Sequence, residues 1–207
     1  MRLPDPFTSN VAPGFSSAIL GDVDPQIQDP MSDGSVLRVN TASQYWTISL
    51  AYPDLTRDEF DFLVGTLAEA KRLREDIQVL LPQYEMFSVS GDTNSTNIAQ
   101  GQTGTEITIG GTSALTGRPR INSLFKLSGC TKVYKITSFT DLGGSWTLGV
   151  YPDLVETTDG TEKPQFNSIL FNVVLIEPKL PNEDPSVEDA LYRGVTLEFR
   201  ENVQHGI

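Results

Sequence analysis

Residues 45–74 read YWTISLAYPDLTRDEFDFLVGTLAEAKRLR, and the change of rhythm inside this stretch decides the fold class. Up to Ala51 the apolar residues alternate: Trp46, Ile48 and Leu50 share one parity, and Thr47 and Ser49 stand between them. Period two with β-branched and aromatic residues predicts a half-buried strand, which Pro53 ends. Thr56-Arg57-Asp58-Glu59 then has the form of a capping box, in which the Thr hydroxyl and the Glu carboxylate satisfy each other's backbone amides. Phe60, Leu63, Val64, Leu67 and Ala70 follow at helical spacing, and Lys71, Arg72 and Arg74 fall in the last turn, where cations oppose the negative helix end. One amphipathic helix over about 56–74 is expected, its apolar stripe lying on a sheet.

Outward from this stretch the chain reads as β. Val36 continues the alternating parity upstream, so residues 35–52 read as two strands or one long bent strand. Downstream, Glu106–Ile109, Leu124–Leu127, Val133–Thr137 and Trp146–Tyr151 are short alternating or apolar runs separated by Gly and Ser. Residues 167–178 form the most apolar run, read as a central strand, and a last strand lies near Val195–Phe199. No second helical pattern interrupts them, so the fold class is mainly β: a sandwich or barrel with one flanking helix. Residues 88–105, SVSGDTNSTNIAQGQTGT, read as a loop or long hairpin tip.

Residues 1–34 carry repeated Pro and Gly with isolated Phe7, Phe15 and Ile19, which reads as an extended arm that pins those side chains into another surface. The chain is thereby divided into the arm and one β-rich domain over 35–207, within which 178–189 form an acidic, Pro-bounded loop. The candidate contact residues are Phe7, Phe15 and Ile19 in the arm and Asp184 and Glu188 in that loop.

The charge is −12, from 27 acidic against 15 basic residues, and no basic stripe is present. That excludes a duplex-binding face, because Lys and Arg supply most phosphate affinity, and sequence-specific nucleic-acid binding is not expected. Cys130 is the only cysteine, so neither an intrachain disulfide nor a multi-cysteine zinc cluster can form, and it reads as a small buried side chain. The only histidine is His205, near the C-terminus, which leaves triads and metal sites poorly supplied. No phosphate-binding loop or dinucleotide fingerprint occurs. The expectation is a non-enzyme with no catalytic, cofactor or metal residues. The N-terminus lacks the continuous apolar core of a signal peptide and no 18-residue apolar stretch exists, so a soluble product of the host cytoplasm without membrane insertion is expected.

In this order of parts the chain resembles a family of bacteriophage tail and baseplate proteins that includes distal-tail and tube-type subunits. The matching pieces are Tyr45–Pro53 leading into Leu55–Phe60 and the helix, then Lys132–Thr137 followed by Ser145–Leu154: a strand ending in a P-x-L-T-R-x-E turn, and a K-V-Y-K-I-T strand paired with one ending P-x-L. The resemblance spans about residues 35–155 and implies a sandwich or barrel arranged as a six-fold ring about the tail axis, joined to tube and baseplate neighbours around the DNA conduit. The alternative is a virion-surface carbohydrate- or receptor-binding sandwich, with Tyr45, Trp46, Trp146 and Tyr151 as a sugar-stacking platform.

Overall fold

The computed structural model describes residues 1–5, 12–85, 87–177, 179–181 and 190–203. In chain order its elements are β1 (Ser17–Val23), β2 (Gln26–Pro30), β3 (Val36–Asn40), β4 (Tyr45–Ala51), α1 (Arg57–Leu73), β5 (Ile77–Leu80), β6 (Val89–Gly91), β7 (Asn97–Ile98), β8 (Gly104–Gly110), β9 (Leu115–Gly117), β10 (Leu124–Leu127), β11 (Val133–Asp141), β12 (Ser145–Leu154), β13 (Pro164–Gln165), β14 (Leu170–Leu175) and β15 (Thr196–Glu201). The protein is mainly β, with one α-helix among the described residues and a nearly closed, barrel-like sheet.

Contacts gather the chain into two compact units, one of Met1–Ile77 with Val173–Asn202 and one of Gln78–Asn172 with Val203–Ile207. From sequence the expectation was an arm over 1–34 and one domain over 35–207. Part of the arm instead supplies strands to the first unit: β1 pairs antiparallel with β4 along its full length, from Ser17↔Ala51 to Val23↔Tyr45. The partner of each β1 residue lies far along the chain, so no local pattern announces the pairing; Pro25 and Pro30 sit between strands and at a strand end, where a missing N–H is tolerated.

The first unit is built on a sheet of order β1-β4-β15-β14-β5. On β4, Trp46, Ile48 and Leu50 are buried, as are Leu197 and Phe199 on the neighbouring β15, which is what the period of two requires. The Trp46 N–H donates to the buried Glu201 carboxylate at 3.2 Å. Helix α1 starts where the capping box placed it: the Glu59 carboxylate accepts from the Thr56 N–H at 2.9 Å and from the Thr56 hydroxyl at 2.7 Å. Such a cap contributes about 1 kcal/mol. Phe60, Leu63, Leu67 and Ala70 form its buried stripe, with the Phe60 ring stacked on Tyr192 at 3.9 Å. The helix stops at Arg74, which takes a left-handed φ of 56° and so cannot continue the spiral.

The second unit is a sheet of order β13-β10-β11-β12-β8-β7. Its core gathers Ile107 and Ile109 from β8, Phe125 and Leu127 from β10, Tyr134 and Ile136 from β11, and Leu148 and Val150 from β12. β11 and β12 pair antiparallel, joining the two motifs that carried the family resemblance. Their register shifts between Ile136 and Ser138, a bulge that leaves one residue of β11 without an opposite number. Gly149 faces that bulge, and a Cβ there would lie 2.7 Å from the Thr137 Oγ1 and closer still to the Ser138 Oγ, so a side chain would have to displace both hydroxyls. The polar stretch 88–105 is more ordered than its composition implied. Asp92 accepts from the Asn94 N–H at 2.9 Å and the Ser95 hydroxyl at 2.7 Å, and Gln102 pairs with both backbone groups of Thr108, so polar side chains anchor the short strands β6 and β7.

Candidate assembly surface

Beyond Val23 and before Tyr45 the β1/β4 ribbon continues as the β2/β3 hairpin, in which Ile27 faces Val39 and Asp29 faces Leu37. A tight turn closes it. The Met31 N–H donates to the Ser35 carbonyl at 2.8 Å, Gly34 takes a φ of 84°, and Asp33 accepts from the Ser35 N–H at 2.9 Å and hydroxyl at 2.6 Å. Those bonds favour the ionised form and hold the Asp33 carboxyl below its usual range. At the base, the Thr41 N–H and hydroxyl both donate to the Pro25 carbonyl, and the Gln44 amide donates to Asp22 at 2.7 Å.

Almost every residue of this hairpin is exposed. Ile27 keeps 62% of its surface, Met31 52%, Val36 48%, Leu37 51% and Val39 51%. Alternation places Ile27, Leu37 and Val39 on one face with Asp29, opposite Gln28 and Arg38. A two-stranded ribbon buries too little to be stable alone in water, and these apolar groups have no cover among the described residues. The signal for it was present: QIQDP and VLRVN flank an Asp33-Gly34 pair, the strongest short-range mark of a hairpin turn.

The other candidate residues are placed as follows. Ile19 on β1 is 60% exposed. Phe15 is half-buried, its ring edge-on to Tyr52 of the same unit at 5.4 Å. Phe7, Asp184, Glu188 and His205 lie outside the described residues.

The tryptophans of the alternative sugar-stacking platform pack inward instead. Trp46 is 1% and Trp146 4% exposed, because both occupy inward positions of their strands, and Tyr45 is covered by the Arg200 guanidinium 3.8 Å above its ring. Cys130 is half-buried and flanks the second unit's core. Burial first, then the charges of Glu156, Glu162 and Asp159, push its thiol up to about 11. A thiol in that state is a poor nucleophile. At pH 8 iodoacetamide is expected to label native Cys130 roughly a hundredfold more slowly than the urea-unfolded chain, as followed by intact mass, because the reactive thiolate is that much rarer. Equal rates would contradict the shift.

Among the described residues no group of three or more His, Cys, Asp or Glu side chains is placed to hold a metal ion, and no helix is long and apolar enough to cross a membrane.

Comparison with known proteins agrees with this architecture. Residues 3–84 match the family model of the distal tail protein pb9 A domain, N-terminal, and residues 85–169 match that of the pb9 B domain. The second match falls within the second unit, Gln78–Asn172. The distal tail protein pb9 of Escherichia phage T5 is 46% identical over 209 residues, covering 98% of this chain and 100% of that protein. Matches of this extent over both units show that the chain belongs to the distal tail protein pb9 family, structural components of the bacteriophage tail.

Proposed function

We propose that the chain works mechanically, as a non-enzymatic subunit of a six-fold ring at the tail tube or tail tip that joins neighbouring tail proteins around the DNA conduit. The observation that carries this reading is the β2/β3 hairpin, whose apolar face is left uncovered by the described residues of its own chain. A projecting element that docks on a different surface of the next copy makes a head-to-tail contact, and when the rotation closes the product is a ring. Ile19, exposed on β1, extends the same contact, and Phe7, Phe15, Asp184 and Glu188 are proposed as further contact residues. The net charge of −12 supports the conduit, since an acidic wall repels DNA that has to slide past it.

Native mass spectrometry and negative-stain microscopy of the purified chain test the reading. The expected result is a discrete multiple of the 22.7 kDa protomer, seen end-on as a ring with a central opening. A chain that stays monomeric at every concentration, and is incorporated as separate copies at the tail, would sink it.

A further inference from the structure

We propose that the second unit also carries a binding site for a neutral saccharide, in an open cavity of about 640 Å³ beside β10, β13 and the start of β14. The volume lies within the range of small-molecule sites. Its wall is chemically selective. Four amide side chains contribute to it, Gln78, Gln165, Asn167 and Asn172, with serine and threonine hydroxyls between them. Among the described lining residues there is no carboxylate, in a chain with 27 acids, and the one cation is Lys126, whose buried ammonium donates to the Leu170 carbonyl at 2.8 Å.

That lining rules out other ligand classes. Without a carboxylate it lacks the charged oxygens that hold a hard cation, and a single committed ammonium is too little for a polyanion. Amide groups present one acceptor beside two donors, a pattern that vicinal hydroxyls of a sugar match. Gln165 is exposed, so its amide is open to such hydroxyls.

The site is also rigid. Phe166 lines the cavity with its ring held 5.5 Å from Phe125 and 6.1 Å from Trp146, so an apolar sugar face meets a ring that loses little freedom on binding. Asn167 is fixed by donating to the Val89 carbonyl at 2.7 Å, and the Ser168 N–H donates to Glu85 at 3.0 Å. This platform presents none of the aromatic residues of the alternative sugar-stacking reading, and it stands independently of the ring.

Saturation-transfer difference NMR on the intact chain tests it, with maltotriose, mannotriose and galactotriose as neutral probes and trigalacturonic acid as the anionic control. Saturation is expected to reach the ring C–H protons of at least one neutral trisaccharide and to favour it over the anion. Gln165→Ala with Asn172→Leu should weaken that binding roughly tenfold. Gln165 is exposed, so Gln165→Ala alone keeps the fold even if Asn172→Leu does not, and it should weaken binding by itself. No transfer to any of the three, preference for the anion, or unchanged binding by Gln165→Ala with Asn172→Leu in a folded protein would each overturn the proposal.

Discussion

Replacing Ile27, Leu37 and Val39 together by serine is expected to leave a folded chain that no longer assembles. These side chains keep 62%, 51% and 51% of their surface in the isolated protein, so truncating them costs the monomer little. In a ring the same surface is buried against a neighbour. Burying the exposed half of such a side chain contributes roughly 1 kcal/mol, so three of them weaken each contact by about 3 kcal/mol, or a hundredfold in affinity. A closed ring repeats that loss at every interface, which makes assembly collapse rather than fade. Sedimentation velocity reads the change, and unchanged tryptophan fluorescence shows that the strands still pack. Rings that form at native concentrations would show that the hairpin is not the clasp.

Phe125→Ala is expected to destabilise the second unit by about 3–5 kcal/mol, the range for removing a buried aromatic side chain. Phe125 is fully buried among Ile107, Tyr134, Ile136 and Leu148, and its ring meets Tyr134 at 6.4 Å and Phe166 at 5.5 Å, so no neighbour can fill the space without moving several others. The two tryptophans make the experiment local, because Trp46 lies in the first unit and Trp146 in the second. In Trp146→Phe and Trp46→Phe backgrounds respectively, urea titration should show an early transition for the Trp146 reporter. Equal midpoints with and without Phe125→Ala would mean that the core is packed elsewhere.

Much of this fold was legible because short-range physics specifies it. The alternation of Trp46, Ile48 and Leu50 became β4, the Thr56–Glu59 box became the start of α1, and the paired motifs at 132–137 and 145–154 became β11 and β12. What stayed hidden depends on partners distant in sequence. Nothing near Ile19 says that β1 joins β4, and nothing near Leu170 says that β14 lies between β15 and β5. Polar content misled over 88–105, because Asp92 and Gln102 bond there to the backbone. At the candidate surface the isolated apolar residues near the N-terminus predict an extended arm, whereas Asp33-Gly34 folds part of that region back on itself as the β2/β3 hairpin. The cavity around Phe166 was invisible, since its walls come from β10, β13 and β14 and from single residues such as Gln78.

The chain leaves the first unit after Ile77 and returns at Val173, in β5 and β14, strands that are adjacent in its sheet. An insertion whose two ends emerge side by side behaves as a cassette. The parent fold closes behind it whatever its length, so mutations and even wholesale exchange there escape the constraints on the parent. A replacement segment therefore has to meet one geometric condition, that its ends fit the spacing of β5 and β14.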